Sequence, residues 1–591
     1  MRLRICMLFV LLGFGTIARA DYMPFNGASI APNVAEIHVG EEGVRVQLEV
    51  FLDDIAVFEA LIPDDWATQT PANRASLEDR MTDFANNGIS LQRDDGSVLP
   101  VRAQLVEPRM RTDRASAWAG RKNPITGRFF PSAPEDTRVV YAELFYDFEG
   151  IRPTAITISP PSDAEGKPLV SIGMVVFDRE VPTTKFSFMS DVARLEIDWK
   201  DPWYSSFNSP NLKRHHQSAL TTFLYIEPRE VRHETLIRVN DLGDWTELDL
   251  KGVPMMDKAA QERIKASART FLAQRNPVTI DGKPVVPASS RASLLKITDS
   301  GLLLVEDEAS LDPLSTFVGV ILSFPVPTLP KNATVTWDMF TPRIDDVPAT
   351  ITDPAGPFLS GATPKSPVID WANFLRTFQD PKVEPVATPT SGTVNIPWIS
   401  LAFIVVAAVA VVIGLSRDRR LRIIFLSVSI VCLGLAIVAR QIAVSEVSNP
   451  FQRSPDPETA AEIFSALLSN INTANLQTAP MQRISDLQST VSETEMPEVI
   501  AELDRALSIQ IAGGGLAKVN AIEGVVLSEI APLPERSGFR ALAEWTVHAG
   551  AAHWGHDHRR NLSYRALVEI LRESGVWKIS GITVVDTRDA D

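Results

Sequence analysis

Four of the chain's eight histidines, His548, His553, His556 and His558, fall within eleven residues. If the chain turns near His553, then His556 and His558, two apart, point to one face of the outgoing strand. His553 reaches them across the turn. Three imidazoles converging in this way can hold a divalent metal (zinc, copper or nickel), with Asp557 or His548 as a further ligand. Strand alternation sends Asp557 to the opposite face, which weakens that set. The alternative is a hairpin in which His and Arg hydrogen-bond the turn, with Trp554 packed beneath.

A second cluster lies at 109–138, where Arg109, Arg111, Arg114, Arg121 and Lys122 surround Trp118, Phe129 and Phe130. A basic, aromatic loop fits an acidic partner or anionic lipid headgroups, with Arg111, Trp118, Arg121, Phe129 and Phe130 as the contact residues. A solvated irregular loop is the other reading. Other motifs stop short of chemistry. His233-Glu234 begins like a zinc-protease motif, but Ile237 stands where the second histidine belongs. Gly513-Gly514-Gly515 lacks the Lys-Ser/Thr of a phosphate loop, because Val519 follows Lys518. No G-x-S-x-G and no dinucleotide fingerprint occurs, so no catalytic residue is assigned.

The elements that must position these residues are arranged around a membrane-like stretch. Residues 397–415 and 423–439 are apolar and free of charged residues, each about the ~17–25 residues a spanning helix requires. The loop between them, 416–422, holds Arg417, Arg419, Arg420 and Arg422, which places it in the cytoplasm by the positive-inside rule. Everything before and after then lies on the outer side. Residues 1–20 have the layout of a secretory signal peptide: Arg2 and Arg4, an apolar run, then Ala18-Arg19-Ala20. The chain carries 57 basic and 73 acidic residues, a balance that argues against nucleic acid as a partner. Its two cysteines, Cys6 and Cys432, fall in the signal peptide and the second span. The exported parts therefore hold neither disulfides nor thiol chemistry.

Residues 21–378 read as short strands between Pro, Gly, Asn and Asp, and they resemble themselves. Asp54-Ile55 followed by Phe58 reappears as Asp241-Leu242 followed by Trp245. A helix follows in both, then a strand and an Asp-Gly turn at Asp95-Gly96 and Asp281-Gly282, a strong hairpin signal. Both copies close on Ile-Asp-Trp, at Trp199 and Trp371. The expectation is two tandem β-sandwich-like repeats, each with a helix, at 21–218 (with a connecting segment) and 219–378. Trp203, Tyr204 and Phe207 in the connection are read as packing between them. Residues 379–396 form a Pro/Gly-containing, semi-flexible tether.

In 449–591, Asp456 can cap a helix that begins at Pro457, with Ile463, Phe464, Leu467, Leu468 and Ile471 on one face. A second helical pattern starts at Met496, and four strand-like runs follow. Helices followed by a meander indicate an α+β domain. This order resembles the NTF2-like fold, used both for small-ligand pockets and for dimerisation. The run from His553-Trp554-Gly555-His556 to Asn561, with Tyr564 and Trp577-Lys578-Ile579, is similar to the end of a group of uncharacterised bacterial exported membrane proteins with two spans. Asn276-Pro277-Val278-Thr279-Ile280-Asp281-Gly282 is similar to that group as well. The resemblance implies a layout and a location, the bacterial inner membrane with both large parts on the periplasmic side. It implies no reaction. The expected role is a non-enzymatic binding, assembly or accessory protein, with the lipid bilayer and another envelope or membrane protein as partners. The alternatives are an exported metal-binding or small-ligand enzyme using the histidines, and an accessory subunit of a transporter.

Overall fold

The structure is a computed structural model. It describes residues 27–590 except 67–73, 112–119, 121, 123–126, 131, 215, 249–252, 254, 299–300, 306–307, 388–392, 443, 449–454, 478–479, 508–509, 512–514, 517 and 535. The stretch 1–20, read from the sequence as a signal peptide, lies outside the described residues. The chain divides into two compact units. One comprises residues 1–378 together with the short segment Ala552–His556, and the other comprises 379–551 and 557–591.

The first unit contains two sandwich-like domains. In the first, Val44, Val46, Leu48 and Val50 are buried while Arg45, Gln47 and Glu49 alternate with them, the pattern of a strand with one face on a core. Its large sheet runs Val101–Met110, Arg138–Asp147, Gly43–Phe51, Asn33–Val39, Ile172–Asp178, Val181–Pro182 from edge to edge. The facing sheet runs Ser206–Phe207, Ala193–Glu196, Ala155–Ser159, Ser90–Arg93. Residues of both sheets and of the helix Leu77–Asn87 share one core, including Leu48, Leu144, Ile156, Leu195 and Phe84. Ser76 caps that helix by accepting from Asp79 N–H.

The second domain follows the same order. Its large sheet runs Gly301–Leu304, Ser289–Thr298, Thr316–Pro325, Glu230–Arg238, Leu220–Glu227, Val347–Asp353, Gly356–Ala362. Val278–Ile280, Asn332–Thr336 and Val368–Ala372 repeat the smaller sheet's sequence of neighbours. In each domain a parallel pair sits among antiparallel ones, Asn33–Val39 with Ile172–Asp178 and Leu220–Glu227 with Val347–Asp353. The Ile-Asp-Trp tripeptides do not correspond in register. Trp371 sits across from Ala333, whereas Leu195 takes the matching place across from Ile156. Ile197 N–H bonds Thr154 O as Asn373 N–H bonds Lys331 O, so Trp199 falls beyond its counterpart along the chain. Its indole caps Pro153 O at 2.7 Å, while that of Trp371 bonds Asp353 at 3.0 Å.

The connection between the domains is packed, as read from its aromatics. Trp203 belongs to the second domain's core and Phe207 to the first's. Tyr204 packs against the second.

In the second unit, two helices, Trp398–Leu415 and Arg419–Val438, are long and apolar enough to cross a membrane. They pack through a seam of small residues: Ser400, Ala407, Ala410 and Gly414 against Ser429, Cys432 and Ala436. Ser400 Oγ donates to Ala436 O at 2.7 Å. Their large apolar side chains point away from the seam, with Val412, Ile430 and Ile437 each more than 60 % exposed. Thr393–Pro397 and Val444–Ser448 pair antiparallel and close the open end of this helix pair.

The tether differs from expectation over its described part. Val386 is buried, its carbonyl accepts Trp577 N–H at 2.7 Å, and Glu384 and Asn470 exchange hydrogen bonds of 3.1 and 2.7 Å. Proline removes donors, but valines between prolines still carry apolar surface, and a neighbouring core takes it up. Beyond it, Asp456 caps the helix Pro457–Asn475 by accepting from Thr459 N–H. The helix lies against a meander of four long strands, Lys518–Pro532, Gly538–His553, His556–Glu573 and Val576–Asp589. A helix at Pro480–Leu487 was not foreseen.

Candidate functional site: the histidine turn and its seat

Trp554 and Gly555 form the two-residue turn between Gly538–His553 and His556–Glu573, with φ of 47° and 81°. Both values are left-handed, as the tightest hairpin connection requires. The histidine run does turn where the sequence places the turn. The side chains of His556, Asp557 and His558 lie outside the described residues. Among the described residues, no three His, Cys, Asp or Glu side chains gather as a metal set. His548 Nδ1 sits 2.9 Å from Asn561 Oδ1, and His553 is buried edge-on to the Trp554 ring, centroids 4.6 Å apart.

What the turn meets is the strand Glu230–Arg238, buried almost throughout. Its alternation separates His233 from Glu234, so the two never act as a pair. His233 faces inward with Val231 and Ile237. Its Nε2 is 2.8 Å from Thr222 Oγ1, and its ring meets Trp337 edge-on at 6.1 Å. Glu234 is on the other face, fully buried. Its Oε2 accepts Trp554 N–H at 2.7 Å, and its Oε1 makes an ion contact of 3.5 Å with Arg232 Nε, too long for a hydrogen bond. Tyr225 Oη accepts Gly555 N–H at 3.0 Å, and Arg232 Nη2 donates to Ala552 O at 2.8 Å. The Trp554 indole joins the second domain's core over Gly319.

Burial pushes the Glu234 carboxyl up to about 7, against the pull of Arg232 and of the Trp554 amide. Burial works against the charge of Arg232 too, but Glu227, Glu234 and Glu230 together hold it above its ordinary value. A carboxyl titrating near neutrality beside a guanidinium is a pairing that general acid–base chemistry uses. Here the carboxylate is enclosed and one oxygen is held by a backbone amide, so it serves as a hydrogen-bond acceptor for the turn.

His233 carries a testable consequence of its own. Burial lowers it from 6.5 to about 4, so the folded state keeps the neutral ring. Its contribution is complete above pH 6.5 and is lost as pH falls through 4, up to about 3 kcal/mol. Urea midpoints at pH 7.5 and 4.5 should drop further for wild type than for His233→Leu. Equal drops would remove His233 from the acid response.

The basic, aromatic loop is placed in part. Trp118 and Arg121 lie outside the described residues. Arg111 is buried: Nε donates to Glu49 Oε2 at 2.6 Å, and Nη1 and Nη2 to the carbonyls of Ala31 and Pro32 at 2.8 and 2.9 Å. It fastens the loop's base to its own domain. Phe130 is buried, and Phe129 is 72 % exposed. Sequence reasoning met Glu234 only as part of an incomplete zinc-protease motif and missed Gly319 altogether. A glycine inside an otherwise apolar strand marks a close approach by another group, and Gly319 was that signal.

No family model and no curated protein matches the chain. Among solved structures, the full-length major pilin RrgB from Streptococcus pneumoniae matches over 71% of this chain and 87% of its own, at 11% identity and a TM-score of 0.09. A likeness at that level carries no argument.

Proposed function

We propose that the chain is a membrane-anchored binding or assembly protein of the bacterial envelope, with its folded domains held outside the cytoplasmic membrane. The observation that carries this reading is the helix pair, which packs on itself through small residues and turns its large apolar side chains outward. Lipid is the solvent such a surface matches. Arg417, Arg419, Arg420 and Arg422 around the short connection support a cytoplasmic place for that end. The shared strand order supports reading the two sandwich-like domains as copies of one ancestor. Helices lying against a four-stranded meander support the NTF2-like reading of the C-terminal domain.

Reporter fusions after Trp371 and after Asp591 should both behave as exported. A cytoplasmic signal from either removes the two-span arrangement. Purification in mild detergent, with mass spectrometry and metal analysis of one sample, then tests the role. A stoichiometric protein partner without metal is expected, and one metal per chain without a partner would favour the enzyme reading instead.

A further inference from the structure

We propose that the Trp554–Gly555 turn is a proton-linked latch: it docks on the outer face of the strand Glu230–Arg238, and docking is accompanied by uptake of a proton at Glu234. Shape makes the seat specific. A Cβ at position 319 would lie 2.4 Å from the Trp554 ring, and one at 555 would lie 2.8 Å from Phe223. The first domain offers no such seat. Phe51 pairs with Val139 as Arg238 pairs with Phe317, so Tyr141 stands where the second domain has Gly319. The same count puts Gln47 in the place of Glu234. A glycine and an ionisable residue appear together only where the turn docks.

The contact is poised rather than locked. Three hydrogen bonds and an enclosed indole hold it. Against them, Trp554 Nε1 is buried with no hydrogen-bond partner among the described residues, and a carboxyl is shut away from water. The groups facing Glu234 are Arg232 and Glu230 from its own strand, Glu227, Tyr225 and Phe223 from the adjoining strand, Arg291 from Ser289–Thr298, and the Trp554 amide from the turn, where His553 lies edge-on to the Trp554 ring. With the turn released, this face opens to water and the carboxyl returns toward its ordinary 4.5. With it docked, the value is about 7. Between those limits the docked form holds the extra proton, so docking strengthens as pH falls from 8 to 5 and weakens as pH rises through 7.

Hydrogen exchange on the full chain in detergent reads this directly, because the Trp554 and Gly555 amides are the donors. Their protection factors, corrected for intrinsic exchange, should rise about tenfold to a hundredfold between pH 8 and pH 5. In Glu234→Gln the rise should fall below threefold, which separates Glu234 from His553. Gly319→Leu and, independently, Trp554→Ala should abolish the protection, while amides of Thr316–Pro325 and Gly43–Phe51 keep theirs and report an intact fold. Two results would overturn the latch: the same pH slope in Glu234→Gln as in wild type, or undiminished protection in Trp554→Ala.

Discussion

Arg238→Met is expected to destabilise the first unit by about 3–5 kcal/mol, because it leaves two buried carboxylates without their counter-ion. The Arg238 side chain is fully enclosed. Its Nη1 and Nη2 donate to the two oxygens of Asp201 at 2.8 and 2.6 Å, and its Nε donates to Asp241 at 2.7 Å. Burial already raises the Asp241 carboxyl to about 6 even with the guanidinium in place. Asp201 belongs to the connection between the domains, where it also caps the turn at Pro202–Tyr204 through Trp203 N–H. Arg214 lies over the Trp203 ring at 3.9 Å and bonds the Trp203 carbonyl. Arg238 therefore ties the connection to the second domain by charge as well as by packing. The triple variant Arg238→Met/Asp201→Asn/Asp241→Asn should recover at least half of the loss, since a neutral cluster leaves no buried charge unpaired. Urea unfolding followed by tryptophan fluorescence checks both. A single-variant loss under about 1 kcal/mol would show that water reaches the carboxylates.

How much of this was legible depended on how far apart the interacting residues lie. The alternation at Val44, Val46, Leu48 and Val50, the Asp456 cap and the apolar pair of helices are local, and each formed where its residues indicated. Register is not local. Ile-Asp-Trp recurs in the sequence, but hydrogen bonding to the neighbouring strand decides position, and it pairs Trp371 with Leu195 rather than with Trp199. The tether was read from its prolines, and the burial of Val386 depends on a strand nearly two hundred residues later. The histidine turn shows the limit most plainly. Its existence was written in neighbouring residues, yet its seat is the Glu234 carboxylate, separated by 320 positions. No periodicity links a turn to a distant sheet face. Only a glycine in a strand and an acid in an apolar run hint that something arrives there.

Trp545→Ala should cost the C-terminal domain about 3–5 kcal/mol, the range for removing a large aromatic from a closed core. Trp545 comes from the strand Gly538–His553 and is 3 % exposed. It stacks on Tyr564 of the next strand, with centroids 5.3 Å apart and planes at 15°. It also meets Phe464 of the helix Pro457–Asn475 edge-on, at 5.4 Å and 77°. Offset stacking and edge contacts are the favoured aromatic geometries, so this group contributes beyond the area it buries. The trio holds the long helix on the sheet, and its loss should free the helix before the meander, whose ladders remain. Leu567, on the strand His556–Glu573 but 53 % exposed, is the control, and Leu567→Ala should stay within about 0.5 kcal/mol. Hydrogen exchange of the helix amides, with urea midpoints for both variants, distinguishes the outcomes. Helix amides that exchange no faster in Trp545→Ala than in Leu567→Ala would mean that the helix is held by its apolar face alone, through Ile463, Leu467 and Ile471.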